Sequence, residues 1–283
     1  SGYNPTSSRN NRNLIINGAM QVAQRGVGPV ASWGYQSVDR FTHGRWGHDE
    51  ELNSSQVDVS VGSSPYNLPV GDGHPFAHGF RKCWQIQNGN QTGGFGAGDG
   101  MHMEYFVESQ DIATSGWNYT SSSSYLTLSF WVKSSVAQNF YGYVKTQDGT
   151  QQLYPFETGS LVAHTWTKIT KSIPGHANLQ FDTDTTTKSI DKGLVIELIY
   201  MSGTDETGTI TLNQWGAFVS AVRTPDGASG WWTQNDATLQ MTGVQLEVGS
   251  VATDFEHRSY GDELHRCLRY CQRHAGVNGS RVA

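Results

Sequence analysis

The residues Tyr125-Leu126-Thr127-Leu128-Ser129-Phe130-Trp131-Val132 carry an aliphatic or aromatic side chain at every second position. Successive side chains of a strand point to opposite faces. This order therefore places Leu126, Leu128, Phe130 and Val132 on one face and Tyr125, Thr127, Ser129 and Trp131 on the other. A helix, with its period of about 3.6 residues, would scatter the same four apolar groups around its axis. Similar runs recur at 56–61, 82–87, 102–107, 140–146, 165–173, 194–201, 208–212 and 239–248, and Leu14-Ile15-Ile16 is the first candidate strand. Asp148-Gly149 follows the 140–146 run, and that dipeptide suits the positive-φ turn of a hairpin. Many short strands joined by loops rich in Gly, Ser, Asp and Thr, without βαβ alternation or a fixed repeat, predict an all-β chain. The expected architecture is an antiparallel two-sheet sandwich.

The chain has 283 residues, which one large sandwich can accommodate. We divide it into a polar N-terminal arm at 1–12, a β-sandwich at 13–257, and a short C-terminal α-helix with a tail at 258–283. Ser259 is placed to cap the helix, with Asp262 and Glu263 in its first turn. Tyr260, Leu264, Cys267, Leu268 and Cys271 form one stripe, to be buried on the sandwich, on the same helix of sister chains, or on both.

Charged residues make up only 16% of the chain beside nine Trp, twelve Tyr and eleven Phe, a balance that disfavours disorder. A net charge of −6 without a Lys/Arg cluster disfavours nucleic acid as a partner. The three cysteines, Cys83, Cys267 and Cys271, are too few and too scattered for a disulfide framework. Cys267 and Cys271 read as small apolar residues of the helix rather than as a metal pair. No apolar run has the length of a membrane span, and the N-terminus lacks the apolar stretch of a secretory signal, so a soluble protein is expected.

Catalytic signatures are missing. There is no Gly-x-Ser-x-Gly elbow, His-Glu-x-x-His helix or phosphate-binding glycine loop. His74 and His78 are four apart, but Gly73 and Pro75 argue against a helix that would align them. A glycosidase needs two carboxylates across one cleft. Glu104, Glu197 and Glu247 are the carboxylates on predicted strands, and surface positions explain them without catalysis. No enzyme activity is expected.

Sugar binding asks for exposed aromatic faces ringed by planar hydrogen-bonding groups. Three loops offer them: Trp231-Trp232 within 228–236, Trp117-Asn118-Tyr119, and Trp46 beside Arg45 and His48. Trp231-Trp232 stands first, because neighbours on a strand cannot both face one core. No cofactor is required by any motif. Asp182, Asp184 and Asp191 share a Thr-rich loop that could hold a structural calcium ion or be a solvated acidic loop, and Asp205-Glu206 is a second such place.

The two ends of the sandwich carry a likeness. Asn13-Leu14-Ile15-Ile16-Asn17-Gly18-Ala19-Met20-Gln21-Val22-Ala23-Gln24-Arg25-Gly26 opens it, followed by Val38-Asp39-Arg40-Phe41. Leu126 to Ser135 forms its centre, and Gln245-Leu246-Glu247-Val248-Gly249-Ser250-Val251-Ala252-Thr253-Asp254-Phe255-Glu256-His257-Arg258 closes it. In combination these segments resemble those of bacteriophage tail-fibre-like, virion-associated proteins. The resemblance implies a jelly-roll sandwich similar to carbohydrate-binding modules, in a homotrimer made in the host cytoplasm and carried on the virion among other virion proteins. It further implies binding of a host-surface glycan. A purely structural capsid or tail component and a tail-associated glycan-degrading enzyme are the alternatives. Within the closing segment, Phe255 is expected to plug the core edge, with Glu256 and Arg258 holding the start of the helix.

Overall fold

The computed structural model describes residues 12–47, 52–60, 71–90, 94–181 and 192–273. Two six-stranded antiparallel sheets are built from them. In order across the first sheet run β1 (Val30–Ala31), β3 (Asn53–Asp58), β4 (Lys82–Gln87), β12 (Thr238–Val248), β6 (Tyr125–Ser134) and β9 (Thr167–Pro174). The second holds β11 (Gly216–Ala217), β8 (Gln152–Ser160), β7 (Asn139–Thr146), β10 (Leu194–Ser202), β5 (Gly100–Val107) and β2 (Phe41–Trp46). The chain is a jelly-roll β-sandwich with a short C-terminal helix. The hairpin expected at Asp148-Gly149 joins β7 to β8, with Gly149 at φ 59°.

The alternation of β6 is used as written. Leu126, Leu128, Phe130 and Val132 are buried in one core with Met101, Met103, Tyr105 and Val107 of β5 and Leu194, Ile196, Leu198 and Tyr200 of β10. Each such side chain contributes about 1.5–3 kcal/mol by leaving water. Trp131 faces away from that core but is also buried. It belongs to a second cluster with Ala19, Val59, Phe80, Cys83 and Trp166, against which Phe255 packs. The Phe80 and Phe255 rings meet edge to face at 4.8 Å. Phe255 thus closes this outer cluster.

Two expected strands are not strands. Residues 208–212 lie in the long connection between β10 and β11. Leu14–Ile16 joins no ladder because a side chain takes the place of the backbone partner. The Asn13 carboxamide donates to Val244 O at 3.2 Å and accepts from Leu246 N at 3.0 Å. Leu14 N then donates to Leu246 O at 2.9 Å, and Val244 N to Gly18 O at 3.0 Å. The opening segment therefore lies along β12, side by side with the closing one. Asn17 folds the chain back, its carboxamide donating to Val22 O and Asp39 O, both at 2.9 Å. Asp39 in turn accepts from Gln24 N at 3.1 Å, while Arg40 lies over the rings of Tyr105 and Tyr270.

Two short helices, α1 (Ser109–Thr114) and α2 (Gly230–Thr233), precede the C-terminal α3 (Tyr260–Leu268). Ser259 caps α3 by accepting from Asp262 N at 3.1 Å. Its buried face differs from the expected stripe: Tyr260 is 56% exposed, whereas Glu263 and Cys267 are buried. The cause is Glu263, whose carboxylate accepts from Asn17 N and from Arg258 Nη1 and rolls the helix onto the opening segment. Leu264, Leu268 and Cys271 are half-buried. Among the described residues no helix is long and apolar enough to cross a membrane.

All three cysteines are free. Burial pushes the thiols of Cys83 and Cys267 up to about 12 and raises that of the more accessible Cys271 by less. Only a thiolate attacks a disulfide reagent. At about pH 8, a thiol titration of the native chain is expected to label Cys271 alone, and denaturant should release the other two. Fast native labelling of Cys83 would contradict this packing.

Candidate functional site

Alternation along β5 sends Met101, Met103, Tyr105 and Val107 to the core, so His102 and Glu104 leave by the outer face of the second sheet. On β10 the same rule puts Glu197 outside, between the inward Ile196 and Leu198. Register then gathers them. Glu197 is directly opposite Glu104 on one side and Tyr143 of β7 on the other. Gly44 of β2 is opposite His102, and Trp46 is opposite Gly100.

The two glycines make room for two rings. A Cβ on Gly44 would stand 2.6 Å from His102 Cε1, and one on Gly100 would stand 2.2 Å from Trp46 Cζ2. Each ring thus covers the bare backbone of the opposite strand, and the rings touch, with centroids 5.0 Å apart.

Beneath them is a buried polar cluster. His102 Nε2 is 3.5 Å from Glu104 Oε1, and the Tyr143 hydroxyl donates to Glu197 Oε2. Glu197 is only 4% exposed and His102 7%, while 26% of the Glu104 side chain reaches solvent. Burial works against charge at each group, with different results. At His102 the hydrogen bond to Glu104 and the charges of both glutamates outweigh burial, and its pKa is raised. At Glu104 burial is likewise outweighed, by His102 and by Lys192 and Lys145, and its pKa is lowered. At Glu197 burial prevails, reinforced by Glu104, and its pKa is raised. Burial and Glu197 together hold Tyr143 well above the ordinary phenol value.

Glu206, in the connection after β10, and Arg223, in the segment after β11, pair Oε1 to Nη2 at 2.9 Å. With Trp46, Gly98, Asp205, Ser220 and Ala221 they line an open groove of about 520 Å³. A second recess, of about 320 Å³, lies on the outer face of the first sheet between His78, Trp131, Phe255, His257, Lys168 and Asp254.

Of the aromatic residues expected to bind sugar, only Trp46 borders the larger groove. Trp231 and Trp232 are 0% and 3% exposed, which overturns their reading as exposed aromatic faces, although the residues flanking them at 228–230 and 233–236 are exposed. They sit on α2, where successive side chains are separated by about 100° rather than 180°, so both reach the core. Trp231 packs on Tyr200 with centroids 5.6 Å apart, and its backbone N–H donates to Gln138 Oε1 at 2.8 Å. Trp117 is also in the core, its indole donating to Ser124 O at 3.2 Å. Tyr119 is half-buried edge-on to Phe181 at 5.0 Å. Neither borders the groove, since both are spent on that packing. Arg45, opposite the core residue Met101, lies between the outward Gly44 and Trp46 and leaves β2 by the face opposite Trp46. His48 and the calcium candidates Asp182, Asp184 and Asp191 lie outside the described residues.

Glu247, the third strand carboxylate, is structural. It accepts from Thr253 N at 2.8 Å and pairs with Arg12 at 3.2 Å. Sequence reasoning weighed Glu104 and Glu197 and passed over His102 and Tyr143. The signal for His102 was its spacing of two from Glu104 on a strand, which puts both on one face.

No protein-family profile matches the chain, and no curated protein matches it. Solved structures do. One is the enzymatically active domain of tailspike protein 4 of bacteriophage CBA120, at 9% identity and TM-score 0.40, over 84% of this chain and 22% of that one. A second is a putative sugar binding protein from Bacteroides thetaiotaomicron, at 10% identity and TM-score 0.39, over 84% of this chain and 100% of that one. A third is a family 11 carbohydrate-binding module from Clostridium thermocellum in complex with a beta-1,3-1,4-mixed-linked tetrasaccharide. It matches at 12% identity and TM-score 0.30, over 79% of this chain and 94% of that one. The chain therefore spans about a fifth of the tailspike chain, and the sandwich itself rests on the strand pairing given above.

Proposed function

We propose that the chain is a non-enzymatic, carbohydrate-binding protein of a phage virion that engages a host-surface glycan in the groove at Trp46. The groove carries the reading. It is open, one wall is a half-buried indole laid over a glycine, and the Arg223–Glu206 pair and Asp205 frame it. An aromatic face takes the C–H side of a sugar ring, and the guanidinium and carboxylates take its hydroxyls. The virion setting, the homotrimer and contacts with other virion proteins rest on the opening and closing motifs, whose residues tie the two ends of the sandwich together.

A glycan-array screen with the purified chain and Trp46→Ala tests this. Binding that weakens at least about tenfold in the variant, about 1.4 kcal/mol, is expected. Unchanged binding would move the site elsewhere, with the recess at Trp131 next in line. Absence of any bound glycan would favour a purely structural virion component.

One observation favours a glycan-degrading enzyme as the second reading: Glu104 and Glu197 are neighbours with pKa values driven apart, as in an acid and base pair. Cleaved products from bound glycans, lost in Glu104→Gln, would establish it. Intact glycans are the expected result, because Glu197 is sealed beneath the sheet's own side chains.

A further inference from the structure

We propose that His102, Glu104 and Glu197 form a binding site for one divalent transition-metal ion, with zinc as the fitting ion. One ligand atom from each lies within 4.8 Å of the others. Bonds of about 2.0–2.2 Å at a tetrahedral angle put two ligands of one ion about 3.4 Å apart, so the widest pair must close by up to about 1.4 Å. Glu104, the least buried of the three, has the freedom to do that, and its exposed edge gives the ion a way in.

The supports are those of a built site. Tyr143 holds one oxygen of Glu197 and leaves the other free to turn toward the cluster. His102 is held between the backbone of Gly44 and the ring of Trp46. Among the described residues its buried Nδ1 has no hydrogen-bond partner, and its Nε2 is turned toward Glu104. Two paired strands, β5 and β10, carry the three ligands, and a strand is a firmer mount than a loop.

The donor set decides the ion. One imidazole nitrogen with two carboxylate oxygens is a three-ligand arrangement of the zinc type, with a fourth position for water or a ligand. Calcium prefers six to eight oxygens and gains nothing from the imidazole. Lys145, Lys192 and Arg223 act on the same groups from a distance, so the ion competes with fixed cations as well as protons. The inference does not rest on carbohydrate binding, because it is read out by metal content.

The test is calorimetric titration of the chelator-stripped full chain with zinc, manganese and calcium chlorides, paired with elemental analysis after dialysis. One equivalent of zinc at micromolar affinity or tighter is expected, with no calcium uptake, and Glu104→Gln should weaken zinc at least about tenfold. Should that variant fail to fold, cobalt added to the wild type supplies the readout, since its paramagnetic broadening is expected on the amides of β5 and β10. Substoichiometric zinc, unchanged affinity in Glu104→Gln, preference for calcium, or broadening centred on His78 and His257 would each overturn the proposal.

Discussion

Arg258→Ala is expected to cost about 3–5 kcal/mol of unfolding free energy, the range for breaking a buried ion pair from one side. The Arg258 side chain is 8% exposed and divides its fork between the two ends of the sandwich. Nη1 donates to Ile15 O at 3.1 Å and to Glu263 Oε1 at 2.9 Å. Nη2 donates to Asn13 O at 2.6 Å and to Glu256 Oε2 at 2.9 Å. Truncation leaves two carboxylates and two carbonyls facing an apolar gap. It also loosens both carboxylates as acceptors for the opening segment, since Glu256 takes Asn13 N at 2.7 Å and Glu263 takes Asn17 N. Arg258→Lys keeps the charge but lacks the planar fork, and only partial recovery is expected. Denaturant titration followed by tryptophan fluorescence measures both. A loss under about 1 kcal/mol would mean that the cluster behaves like a surface ion pair.

Trp231→Ala is the second large effect, again about 3–5 kcal/mol, from lost burial and the cavity left behind. Trp231 is the bulkiest of the fully buried side chains. It ties α2 to the core through Tyr200, while Asn88 Nδ2 donates to Trp232 O at 2.7 Å. Its removal is therefore expected to loosen α2 and the strand ends around it. In the fraction that remains folded, glycan affinity should match the wild type, the reverse of Trp46→Ala. Equal loss of affinity in both would tie α2 to the groove and contradict the separation described here.

The strands were legible because their apolar period is local. The 82–87 run matches β4 at both ends, and Ser259 announces α3 through a cap that needs only its own neighbours. Trp231 and Trp232 misled because α2 is a single turn, too short to impose a helical period on the sequence. Their burial depends on Gln138 and Asn88, far away along the chain. Leu14–Ile16 misled differently: its residues look like a strand, but the Asn13 carboxamide occupies the place of a ladder partner. At the candidate site, His102 and Glu104 could be placed on one face from spacing alone. Their meeting with Glu197, Tyr143 and Trp46 depends on which strands are neighbours, and alternation does not carry that information.

The clasp between Asn13 and Arg258 has a mechanical meaning. Tension applied between these two positions runs through a few short, charge-assisted contacts at one edge and not through the sheets. The jelly roll hangs from its own fastening like a pendant, outside the line of force, and a pull on the two ends of the sandwich would load the clasp before it peeled a strand.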